Sequence, residues 1–378
     1  MTLMKSVLGF VLSTAAITAP AIASTKPPKL ISIAASDVGS YRYAELSAQA
    51  EAIDKDFGSK LRVIPLGNAV ARAIALRTKK AEIWQSCSAY FTAFEGIGDF
   101  AAETWGPQPL RLILMSNRNA NFSPAVAGDS SIHSLADMKG KRVAWVVGNS
   151  GINIQTEAFL AAGGLTKKDV KLVEFPGYSA SVRGLISSQV DVALAANTSP
   201  VTLEVASSGK GVKWIPIPKS DTAAWNKIEA KAPFVAPVTV TSGAGIKKGD
   251  RVEAAGYPCP QYVTLASQNE ETAYWLTKML VEAWPDYKAA IKSAPYWEIH
   301  TAIKSHFAVP YANGAIRYFK EIGVWTPDLE KHQQKLLKRE KLLQAAFKKT
   351  KDSFHGASNA FPAYWQAERA KLDESAAN

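Results

Sequence analysis

The sequence predicts an α/β protein built from two similar open sheets of mainly parallel strands. Short apolar runs that fit buried strands alternate with helical patterns in two separate stretches. The spacing repeats as well: strand starts at 30, 61 and 82 step by 31 and 21 residues, and those at 143, 171 and 191 step by 28 and 20. At 378 residues, 47% hydrophobic and 10% aromatic, the chain has the profile of a folded protein with more than one domain.

The first strand is Leu30-Ile31-Ser32-Ile33-Ala34. Leu46, Ala50, Ile53 and Phe57 then recur at offsets of four, three and four, which puts them on one face of a helix. A second strand over 61–64 breaks at Pro65-Leu66-Gly67, and Asn68 is suited to cap a helix running to about Thr78. The third strand is 82–85. In the second stretch a strand over 141–147 ends at Gly148, and a helix over 153–162 stops at Gly163-Gly164. The strand Lys171–Phe175 breaks at Pro176-Gly177, a helix covers 179–188, and a strand over 191–195 ends at Ala196-Asn197. Trp84 and Trp145 fall mid-strand and are expected in the core.

Lys5, the uncharged apolar run 7–18 and Ala21-Ile22-Ala23 form an export signal over 1–23, with the released protein beginning near Ser24. The apolar run is short for a membrane span, and no cysteine before Cys87 offers a lipid anchor. Outside the cytoplasm a nucleotide-dependent enzyme or a nucleic-acid partner is not expected. Cys87 and Cys259 can pair in an oxidising compartment or stay as two buried thiols. The five histidines show no metal spacing. Residues 148–152 lack the second glycine of a G-x-S-x-G elbow and also miss G-x-G-x-x-G. We therefore expect no metal, no cofactor and no catalysis.

The net charge of +11 is concentrated near the end. Between 331 and 352 eight Lys and Arg face Glu340 and Asp352, a local excess of +6. Leu336, Leu337, Leu342, Leu343 and Phe347 make this stretch an amphipathic helix. Its basic face is either simply solvated or a docking face for an acidic membrane partner.

Parallel open sheets bind ligands beyond the carboxyl ends of their strands. The first unit offers the loops 36–41, 67–68 and 85–86 there; the second offers 148–151, 177–178 and 197–199. Several open into helix N-termini, whose free N–H groups favour an anion. Ser40, Asn68, Gln85, Ser150, Gly151 and Asn197 are candidates to hydrogen-bond a ligand, or to cap helices. Tyr41 and Tyr178 can wall it. Arg42, Arg72 and Arg183 sit near helix starts, where a guanidinium can clamp a carboxylate; Arg72 and Arg183 complete the expected set.

Four motifs carry a family resemblance. They are Val38-Gly39-Ser40-Tyr41, Gly67-Asn68-Ala69-Val70-Ala71-Arg72, the stretch from Leu135 through Asp137-Met138-Lys139-Gly140-Lys141-Arg142-Val143, and Val309-Pro310-Tyr311 through Gly314-Ala315-Ile316-Arg317-Tyr318. Over roughly 30–325 the chain resembles the TAXI-type solute-binding subunits of tripartite ATP-independent periplasmic (TRAP) transporters. The family's usual Gly-Gly before the aromatic is Val38-Gly39 here, and its Gly-Ser is Gly67-Asn68. The resemblance implies a two-domain type II periplasmic binding protein: 24–122 with 245–325 as domain one, 123–244 as domain two, and 326–378 as a helical segment packed on domain one. The crossings are expected near 118–128 and 235–255. It further implies a periplasmic, monomeric receptor that takes a small organic anion and hands it to the membrane permease subunits. A sensor for a membrane kinase, or an exported enzyme on the same scaffold, are the alternatives.

Overall fold

The computed structural model describes residues 26–304 and 307–377, so the expected export signal and its cleavage point lie outside the described residues. The first lobe opens as expected. Strands β1 (Leu30–Ala35), β2 (Lys60–Pro65) and β3 (Ile83–Ser86) alternate with helices α1 (Tyr41–Phe57) and α2 (Ala69–Arg77). Helix α3 (Ala89–Glu95) and strand β4 (Leu110–Met115) follow. β1 pairs in parallel with β2 and with β3. Five of the six β1 side chains are buried, as suits a strand covered on both faces.

The chain then leaves this sheet. It runs through β5 (Asn119–Asn121), β6 (Ser123–Val126), β7 (Arg142–Val146), α4 (Ser150–Ala162), β8 (Lys171–Phe175), α5 (Tyr178–Arg183) and β9 (Ala193–Ala195). α6 (Pro200–Ser207), β10 (Lys213–Trp214), α7 (Thr222–Lys231), β11 (Ala236–Val240) and β12 (Val252–Pro258) complete the second lobe. It returns with β13 (Gln261–Leu265), which inserts antiparallel between β3 and β4 to give the order β2-β1-β3-β13-β4. Helices α8 (Glu270–Glu282), α9 (Trp284–Tyr287), α10 (Ile299–Ala302) and α11 (Asn313–Glu321) follow, with α8 and α11 packed on β4, and α12 (Pro327–Ser353) and α13 (Phe361–Ala377) end the chain.

The sheets are α/β and open, but mixed. β7 and β8 are parallel, and Val143 bridges Val192 in parallel, whereas β9 pairs antiparallel with β6. The antiparallel members are the strands that carry the chain out and back, so they necessarily run against the βαβ units. Helix α4 begins at Ser150, three residues before the expected start, so Ser150 and Gly151 occupy its first turn and not a loop. The expected 179–188 helix ends at Arg183, and a run of turns carries the chain on.

Two apolar cores result. One gathers residues from 31–115 and from 262 onward; the other gathers mostly 122–259, joined by Tyr41 and Cys87. Trp84 is fully buried in the first core. Trp145 is only half-buried, its ring covered by Lys167 at 5.3 Å, because its side of β7 faces an open crevice and not the core. The basic helix α12 turns Leu343 inward and leaves Lys331, Lys335, Lys338 and Lys341 exposed. Glu95 at the end of α3 anchors it. Burial pushes that carboxyl up, but hydrogen bonds and charge from Arg339 of α12 and Arg369 of α13 outweigh burial and hold it below its ordinary range.

Candidate functional site

The two rims meet face to face. Asp37 accepts a hydrogen bond from the Ser179 amide at 2.9 Å, and the Gly39 carbonyl accepts from the Val201 amide at 3.3 Å. The Val70 amide donates to the Gly148 carbonyl at 2.9 Å. The lobes are therefore in contact across the cleft, and the space left beside Arg42 where the rims meet is small. A cavity of about 10 Å³, the room of a single water, is lined by Ser40, Tyr41, Arg42, Phe122, Tyr178, Ser199, Tyr257 and Cys259.

Each lining residue has a local reason for its position. Ser40 caps α1, accepting from the Tyr43 amide at 3.2 Å while donating to the Asp37 carbonyl at 2.8 Å. That turn places Tyr41 and Arg42 in the first helical turn, facing the second lobe. Tyr41 donates to Cys259 Sγ at 2.9 Å and carries the Arg118 guanidinium 4.7 Å above its ring. From the other lobe, Tyr178 opens α5; its hydroxyl meets Ser199 Oγ at 3.0 Å and accepts from the Ala196 amide at 3.1 Å. Cys87 and Cys259 are joined as a disulfide with Cα atoms 5.0 Å apart, a separation ordinary for the bond. It ties the loop after β3 to the returning crossing.

Arg42 dominates the electrostatics. It is buried at 7% exposure and forms no ion pair among the described residues; its Nε has no hydrogen-bond partner. The Tyr178 ring lies 6.0 Å from its guanidinium. Arg72 lies behind it, equally buried, with Nη1 donating to the Leu66 carbonyl at 2.6 Å and Nε unpartnered. Burial and then the charge of Arg42 pull Arg72 below its ordinary range, against Asp37, which raises it. Asp37 is the counter-charge that acts on Arg72, and the Arg42 charge acts on Glu45 without a direct ion pair.

The expected residues divide into four groups. Ser40, Tyr41 and Tyr178 come together on the cavity, with Arg42. Asn68, Arg72 and Gln85 stand behind it. Asn68 caps α2 at 2.8 Å to the Ala71 amide, and Gln85 accepts from the Ser36 amide at 3.2 Å and donates to the Arg42 carbonyl at 2.8 Å. Ser150 and Gly151 lie at the α3–α4 contact, where Asp99 accepts from the Ser150 amide at 2.6 Å. The last two are engaged elsewhere in the second lobe. Arg183 forms a half-exposed fork with Glu204 at 2.9–3.0 Å, and Asn197 donates to the Ser242 carbonyl at 2.6 Å. Phe122, Tyr257 and Cys259 are lining residues that the rim argument missed. They belong to the crossings, and a rule that looks at the ends of parallel strands has no term for crossing strands.

Arg118 knits this region together. It lies 3.5 Å from Glu45 and donates to Thr198 at 2.6 Å, so one guanidinium links α1, the first crossing and the second lobe. Burial raises the Glu45 carboxyl to about 7 despite Arg118 and a hydrogen bond from Ser293. Among the described residues no group of His, Cys, Asp and Glu is placed to hold a metal, and no helix is long and apolar enough to cross a membrane.

A model of the NMT1-like family matches residues 33–323. Among solved structures, the chain is similar to the alkanesulfonate-binding protein SsuA from Xanthomonas axonopodis pv. citri bound to MOPS. The identity is 14% and the TM-score 0.47, with 84% of this chain and 95% of that one covered. It is also similar to the periplasmic aliphatic sulphonate binding protein SsuA from Escherichia coli, at 14% identity and TM-score 0.44, covering 84% and 89%. A third is an amino acid ABC transporter substrate-binding protein from Streptococcus pneumoniae bound to L-arginine, at 11% identity and TM-score 0.42, covering 70% and 94%.

Proposed function

This chain belongs to the NMT1-like family, and we propose that it is an exported receptor that captures a small organic anion, a carboxylate by preference, between its lobes. The observation that carries this reading is Arg42: a guanidinium held in the cleft between the two rims without an ion-pair partner. A buried guanidinium without a direct ion-pair partner is costly, and an anion that enters the cleft beside it relieves that cost. Tyr41, Tyr178, Ser40 and Ser199 supply the neutral hydrogen bonds that fix its orientation.

Closure is the mechanism. Ligand contacts from both rims exist only when the lobes meet, so the ligand's differential affinity shifts the population toward the closed form. A membrane secondary transporter of the TRAP type then reads the closed shape and receives the solute.

A thermal-shift screen of the mature protein against carboxylates, amino acids and other small metabolites tests the reading. A ligand that binds only the folded state at a hundredfold excess over Kd adds about 2.7 kcal/mol of stability. A saturable carboxylate hit, unconsumed by the protein, supports the receptor. A hit that is turned over overturns it in favour of an enzyme. Mass spectrometry of what the denatured protein releases identifies a solute carried through purification.

A further inference from the structure

The closed anion subsite adjoins a larger space. Beside the 10 Å³ cavity lies a chamber of about 390 Å³, walled by Tyr90 and Phe91 from the first lobe, Phe234 and Ala236 from the second, and Tyr257 and Gln261 from the crossings. No charged side chain lines it among the described residues. Tyr257 lines both spaces, and the disulfide contributes Cys259 to the smaller and Cys87 to the larger. One ring and one pair of sulfurs therefore separate them.

Five aromatic rings run in a row from one to the other. Tyr178 lies 5.8 Å from Phe122, Phe122 6.0 Å from Tyr257, Tyr257 5.5 Å from Phe234, and Phe234 5.7 Å from Phe91. The row starts beside Arg42 and ends in the chamber. A 10 Å³ cavity has no room for the body of an organic anion, whereas pockets of roughly 300–1,000 Å³ ordinarily hold one.

Resting on the anion reading above, we infer that the ligand is amphipathic: a carboxylate head at Arg42 and an alkyl or aromatic body laid along the ring row into the chamber. Tyr257 is the partition that turns aside to admit the body. Because the chamber has walls from both lobes, the body favours closure as the head does.

Calorimetric titration of the mature full chain with straight-chain monocarboxylates from acetate to octanoate, with 1-octanol as the neutral control, tests this. Affinity is expected to rise about fourfold for each added methylene, and 1-octanol to bind at least tenfold more weakly than octanoate. Ala236→Phe and Ala308→Phe each narrow the chamber and are each checked for an unchanged melting temperature. They should cut the ratio of octanoate to propanoate affinity at least tenfold. Affinity that is flat with chain length, but lost in Arg42→Gln, overturns the amphipathic assignment and leaves the anion reading intact. Chain-length dependence that survives in Arg42→Gln, with 1-octanol binding as tightly as octanoate, overturns both.

Discussion

Gly151 of the second lobe packs directly on the backbone of Ala89 in the first: a Cβ at Gly151 would lie 2.5 Å from the Ala89 nitrogen and 2.5 Å from Ser88 Oγ. The contact joins the first turns of α3 and α4, so the closed arrangement of the lobes depends on a missing methyl group. A side chain can swing away from such an overlap, but the Ala89 nitrogen is backbone and cannot. Gly39 meets Ser179 in the same way, with a side-chain oxygen 2.5 Å from its would-be Cβ.

Gly151→Ala should therefore hold the lobes apart. Alanine suits a helix better than glycine by about 1 kcal/mol, so α4 itself gains. The expected outcome is ligand affinity lowered at least tenfold with the melting temperature of the unliganded protein unchanged or raised. Calorimetry and small-angle scattering read these together, and scattering should show a larger radius of gyration. Wild-type affinity in the variant would mean that the ligand-bound lobes do not close along this contact.

Arg42→Gln should separate stability from binding. A guanidinium buried without an ion-pair partner where the lobes meet destabilises the closed form in the absence of ligand, so replacing it with a neutral side chain of similar length should leave the melting temperature equal or higher. Carboxylate binding should fall at least a hundredfold, because the lost partner is a charged hydrogen-bond donor in a dry site. Arg183→Gln, which breaks only the half-exposed fork to Glu204, should change affinity less than twofold. If Arg183 proves to matter more than Arg42, the ligand is held elsewhere.

The sequence patterns that resolved well were those with a local cause. Both βαβ stretches were legible because strand length, apolar runs and Pro-Gly breaks are properties of a few neighbouring residues. Asn68 as a cap, and Ser40 and Tyr178 beside the cleft, follow from the loops that precede helices. Arg183 pairs with Glu204 of the nearby α6, away from the small cavity, a partnership that no local pattern encodes. Phe122 and Tyr257 enter the site from crossing strands, and the pairing of Cys87 with Cys259 across 172 residues is set wholly by tertiary structure.

That pairing has a stability consequence. A crosslink spanning 172 residues removes more loop entropy from the unfolded chain than a short one does. The double substitution Cys87→Ala with Cys259→Ala should lower the unfolding free energy by about 2–5 kcal/mol. Urea unfolding should show a lower midpoint, and wild type under strong reductant should move toward the variant. An unchanged midpoint would show that the two sulfurs are not bonded in solution.

Glu45 should give the protein a pH dependence of definite sign. Burial lifts its carboxyl to about 7 in the folded protein, above the 4.5 of an unperturbed glutamate, with Arg118, Ser293, Trp297 and Arg42 opposing the shift. The folded state therefore holds a proton that the unfolded state has already released across that window. Where the native form binds more protons, stability falls as pH rises, here between about 4.5 and 7. A shift of this size corresponds to no more than about 3 kcal/mol, less whatever Arg118 recovers by moving closer to the ionised carboxylate. Glu45→Gln keeps the shape and removes the titration. Its unfolding free energy, measured every half unit from pH 4.5 to 8, should gain on wild type steadily through the window and run parallel to it above. Parallel curves throughout would mean that Arg118 already neutralises an ionised Glu45 at acid pH.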